Sequence, residues 1–71
     1  MTTLTLKGGR GRELTLFAPQ LFEGGIQADA VMVTAAIPRP MIFKHGKDKY
    51  RAPAIQRRGF FIATIVLVKV D

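Results

Sequence analysis

A chain of 71 residues with 11 Lys and Arg against 5 Asp and Glu carries a formal net charge of +6 and contains no cysteine. That length supports one hydrophobic core and buries only about 60% of the surface that the unfolded chain exposes. The composition excludes disulfides, thiolate metal ligands and cysteine nucleophiles, and serine is absent as well.

From Thr2 to Lys7 the residues alternate, with Leu4 and Leu6 on one side and Thr3, Thr5 and Lys7 on the other. This period of two predicts a half-buried strand. Glu13 to Phe17 repeats the pattern, and the link Gly8-Gly9-Arg10-Gly11-Arg12 joins the two runs as a β-hairpin with a glycine-rich loop. Pro19 ends the second strand. Gln20 to Gly25 is ambiguous, because Leu21 and Phe22 suit a short helical turn that Gly24-Gly25 then stops. Val31-Met32-Val33-Thr34, followed by Pro38-Arg39-Pro40, predicts a strand at about residues 30–37. The alanines at 28, 30, 35 and 36 permit a helix there instead.

Met41 to Lys44 and Lys49 to Ala52 read as a second hairpin around His45-Gly46-Lys47-Asp48, closed by Pro53. Ala54 to Arg58 forms a connector. The segment Gly59 to Val70 is apolar almost throughout and predicts a long final strand. One face carries Phe60, Ile62, Thr64, Val66, Val68 and Val70, and the other Phe61, Ala63, Ile65, Leu67 and Lys69. Both faces are apolar, so the strand is expected to be covered on both sides, centrally in a sheet or at a subunit interface.

The expected fold is therefore mostly β, in a single domain over residues 1–71: a small barrel or strongly twisted sheet of five to six short strands, built on two hairpins and the long C-terminal strand. An α+β arrangement with a short helix within residues 18–33 is the alternative.

Catalysis is not expected. His45 is the only imidazole and sits in a basic loop, and Glu13 and Glu23 fall in different elements. No metal or cofactor site is indicated, since one histidine and scattered carboxylates do not make a ligand set. No secretory or transit pattern opens the chain, and the apolar run at 60–68 falls well short of the about 20 residues that span a bilayer. These features describe a soluble, cytoplasmic protein.

The charge is one-sided. Lys7, Arg10 and Arg12 balance Glu13, Glu23 and Asp29, so the whole net +6 resides in residues 36–71. Such asymmetry favours a polyanionic partner, either nucleic acid or an acidic protein surface such as that of a transcription or replication machine. The binding residues are Arg39, Lys44, Lys47, Lys49, Arg51, Arg57 and Arg58, with Tyr50 as the exposed aromatic for stacking on bases. Phe43 alternates with Met41 and is assigned to the core. Arg10 and Arg12 are accessory: their segment resembles an arginine–glycine RNA-binding stretch, and equally suits a solvated hairpin tip. Arg57-Arg58 also reads as a charged guard beside an aggregation-prone strand. Small size without disulfides makes a homodimer a further expectation, and a structural subunit that self-assembles through the strand from Gly59 to Val70 is the remaining alternative.

Overall fold

In a computed structural model that describes residues 2–70, the two expected hairpins form where glycine interrupts alternation. Strands β1 (Thr3–Lys7) and β2 (Glu13–Phe17) pair in the register Leu4 to Leu16 and Leu6 to Leu14. Their four leucines consequently share one face, where Leu6, Leu14 and Leu16 are fully buried. The loop between them makes a short 3₁₀ turn at Gly9–Gly11, with Arg10 in the left-handed region. Strands β6 (Met41–His45) and β7 (Asp48–Ala52) form the second hairpin, each one residue longer than expected. Its turn is only Gly46-Lys47, and Gly46 supplies the positive φ of 61° that a two-residue hairpin requires.

The region expected to hold either a helix or one strand contains three strands. They are β3 (Gln20–Phe22), β4 (Gly25–Ala28) and β5 (Ala30–Val33). No α-helix occurs among the described residues, so the α+β alternative is set aside. Strands β3 and β4 form a third, tight hairpin around Glu23-Gly24. The strand expected at 30–37 stops at Val33, and Ile37 is held instead by an isolated backbone bridge to Ile55, with N···O distances of 2.7 and 2.8 Å.

The C-terminal run divides into β8 (Gly59–Phe61) and β9 (Ile65–Val70), separated by a bend at 62–64. These two pieces do different jobs. Strand β8 lies at a sheet edge against β5, whereas β9 is central, between β4 and β7. Within the chain, β9 is central in the sheet but covered on one face only. Ile65 and Leu67 enter the core, but Val66 and Val68 face outward, and Val68 is 56% exposed.

All nine strands belong to one antiparallel sheet in the order β3-β4-β9-β7-β6-β1-β2-β5-β8, which is not closed into a barrel. Nine strands replace the five to six expected, because β3, β4 and β8 are too short to register as hydrophobic periods. The sheet comprises two halves. One pairing, Lys7 with Lys44, joins β1 to β6, and Asp29 alone separates β4 in one half from β5 in the other. Inner-face residues of both halves meet in one buried cluster that includes Leu6, Leu14, Ile26, Phe43, Ile65 and Leu67. Burial of such side chains at about 25 cal/mol per Å² is the principal stabilising term for a domain of 28 × 25 × 17 Å. Among the described residues there is no helix long and apolar enough to cross a membrane.

Candidate nucleic-acid interface

Residues directly opposite each other in antiparallel strands project from the same face. The registers of β1, β2, β6, β7 and β9 therefore define a continuous outer row: Glu13, Lys7, Lys44, Lys49 and Val70. Three lysines stand side by side across three strands, and all three are exposed. In the adjacent row Ile42 faces Arg51, which in turn faces Val68. Lys7, Lys44, Lys49 and Arg51 thus make one basic patch on the outer face, bordered by Ile42 and Val68.

This arrangement works against the fold. Like charges in direct cross-strand register destabilise a sheet by a few tenths of a kcal/mol to about 1 kcal/mol per pair. The row contains two such pairs, Lys7 with Lys44 and Lys44 with Lys49. Among the described residues the one ion pair is Lys69 Nζ to Asp48 Oδ1 at 3.7 Å, which involves none of the patch cations. Between Lys7 and Lys44 the surface dips into a depression of about 430 Å³ floored by Ile42 and by the backbone of Gly8 and Gly9.

The other expected contacts distribute unevenly. Lys47 sits at the exposed tip of the β6–β7 turn, immediately beyond the patch. Arg39 is exposed in the irregular segment before β6. Arg57 and Arg58 lie on the connector leading to β8, at the far end of the sheet order, and so outside the lysine row. They precede an edge strand, the position in which charge guards against strand addition. Arg10 is exposed at the first hairpin tip, but Arg12 is half-buried and its Nε donates to the Ala36 carbonyl at 3.3 Å, a tie within the fold.

Tyr50 requires a correction. It is 4% exposed and opposes Phe43, itself fully buried, so it is a core residue and not a stacking platform. Strict alternation explains this: Lys49 and Arg51 face out, which turns Tyr50 inward with Ala52. Lys7, by contrast, belongs to the patch without having been singled out from sequence. Its outward position is legible in β1, but its pairing with Lys44 is a contact between distant parts of the chain.

A second feature lies at the opposite end of β7. The connector from Pro53 to Arg57 and the bend from Phe61 to Ile65 enclose an open groove of about 750 Å³. Ile55, Phe61 and Ile65 supply apolar walls, and no carboxylate lines it. The Arg57 guanidinium carbon stands 5.0 Å from the Phe61 ring centroid. Cation–π attraction of about 0.5–1 kcal/mol favours that placement at an exposed site.

Comparison of the chain with protein families, with curated proteins and with solved structures finds no match in any of the three.

Proposed function

We propose that this chain is a non-enzymatic binding protein that contacts nucleic acid through the face formed by Lys7, Lys44, Lys49 and Arg51, with Lys47 at its margin. The observation that carries the reading is the lysine row. Three cations held in direct register across β1, β6 and β7 weaken the isolated sheet, and a polyanion laid over them relieves that repulsion. Phosphates spaced along a strand are the chemistry such a row complements, and release of condensed counterions supplies the driving force.

Light-scattering mass of the nuclease-treated protein, alone and with a random single-stranded oligonucleotide, tests this directly. The expected result is a complex at low salt that dissociates at high salt. Absence of a complex at low salt contradicts the proposal. The mass of the protein alone also reads whether it forms a homodimer.

One observation favours a second reading, a small adaptor docked on the acidic face of a larger protein. Phe22 and Val68 are exposed in the same row as Arg51, giving an apolar strip beside the cations. Apolar anchors fix a protein complex that charge has steered together. Its mark is partner binding that persists at high salt and is lost in Phe22→Ala.

A further inference from the structure

We infer that the groove between the 53–57 connector and the 61–65 bend takes one unstacked nucleobase, an inference that rests on the nucleic-acid reading and adds base contact to phosphate contact. The groove of about 750 Å³ falls within the size range of small-ligand sites. Its apolar walls give a flat ring a place out of water. Its charge is wholly positive, since Arg57 lines it, Arg58 follows, and no acidic side chain is present. A base is itself neutral, so this charge acts on the phosphates on either side of it, which Arg57 and Arg58 attract.

The Arg57–Phe61 pair points to a planar ligand. The Arg57 guanidinium and the Phe61 ring are two planar groups side by side at the groove, and bases released from a helix stack on such planes. Gln56 and Thr64, both exposed at the groove, carry donors and acceptors for the edge of a base. An aliphatic anion would use the walls but neither the stacked plane nor these polar groups.

Placement on the fold links the two sites. Lys49 and Arg51 lie in β7 on the basic face, and Pro53, two residues beyond Arg51, forms part of the groove wall. At about 3.3 Å per residue, Lys49 and Pro53 are separated by about 13 Å along the strand. Lys49 and Arg51 face outward, whereas Val31, Phe61 and Ile65 of the groove lie on the inner side. A single strand of a few nucleotides therefore reaches both by rounding the end of β7 at Pro53, with phosphates on the cations and one base turned into the groove. A second copy of the chain is a poor occupant, because it also carries +6.

Fluorescence anisotropy with two single-stranded probes of about 12 nucleotides tests the inference. One is oligothymidine and the other is an abasic oligomer with the same number of phosphates. The protein is expected to bind oligothymidine about tenfold more tightly at low salt. Arg57→Lys, which keeps the charge but removes the plane, and Phe61→Leu are each expected to bring that ratio close to one while leaving abasic binding unchanged. Lys44→Gln weakens both probes alike and leaves the ratio in place.

Equal affinity of the wild-type protein for the two probes overturns the base site while leaving the phosphate-binding face standing. A preference that survives both groove variants overturns it as well. So does displacement of oligothymidine by an acidic peptide carrying one phenylalanine, if Phe61→Leu prevents that displacement. Failure of both probes to bind at low salt removes the nucleic-acid reading and this inference with it.

Discussion

Replacing Gly25 by alanine is expected to abolish the cooperative fold. A Cβ at this position would fall on the Leu67 carbonyl oxygen, inside van der Waals contact, and would stand 3.0 Å from the Leu67 carbonyl carbon and 3.2 Å from the Lys69 nitrogen. All three neighbours are backbone atoms of β9, so no side-chain rotation relieves the clash. The φ of +156° at Gly25 adds a backbone penalty for any L side chain. To admit the methyl, β4 must separate from β9, which breaks the ladder from Gly25–Val68 to Ala28–Ile65. Ile26 and Leu67, both fully buried, then lose their packing.

A domain of this length has a total stability of about 4–11 kcal/mol at the usual 0.05–0.15 kcal/mol per residue. A loss of about 4 kcal/mol or more, typical of a disrupted core, consumes most of it. Circular dichroism during heating should show no sharp transition. Gly9→Ala is the control, because a Cβ at position 9 meets nothing within 4 Å, and it should melt like the wild type. A cooperative Gly25→Ala melt near the wild-type temperature would contradict the β4–β9 register.

Lys44→Glu is expected to raise stability and lower nucleic-acid affinity together. Lys44 stands at the centre of the row, opposite Lys7 on one side and Lys49 on the other. Reversing its charge turns two repulsive cross-strand pairs into attractive ones, a gain of about 1 kcal/mol in total. For a domain of 60–100 residues this raises the melting temperature by about 4–8 °C. The same change removes one phosphate contact and repels the neighbouring phosphates, so affinity for a single strand should fall at least about tenfold at low salt. Thermal melts and anisotropy on one preparation read both effects. A merely solvated charge would give the stability gain without the loss of binding. A residue needed for folding would give neither.

Local pattern accounts for what the sequence made legible. In β1, β2, β6 and β7, strict alternation and glycine-containing links specify both strand position and hairpin register, because the information lies within neighbouring residues. Lys44 opposite Lys49 follows from that hairpin alone. Tyr50 inside the core follows from it too, since a residue between two outward cations must point the other way. Its charged neighbours disguise it only when composition is weighed above periodicity.

The remaining features depend on distant partners. Strands β3 and β4 have three and four residues, and Gly25 and Ala28 of β4 carry little strand preference; both strands exist because β9 lies beside β4. The bend at 62–64 has no glycine or proline to mark it. It arises because Gly59–Phe61 pairs with β5 while Ile65–Val70 pairs with β4 and β7, two ladders at different places in the sheet. Lys7 joins the lysine row by the same kind of contact. The groove also requires this bend and the Ile37–Ile55 bridge, so its residues were not identifiable as a group from their spacing.

On the proposed reading, nucleic acid lies on the outer face of β1, β6 and β7. Titrating a short single-stranded oligonucleotide into isotope-labelled protein, with amide and lysine side-chain resonances followed by NMR, tests this residue by residue. The predicted result is that the largest shifts occur at Lys7, Lys44, Lys49 and Arg51 and disappear at high salt. Shifts confined to Leu21, Phe22, Val66 and Val68, with the lysine row unmoved, would contradict it.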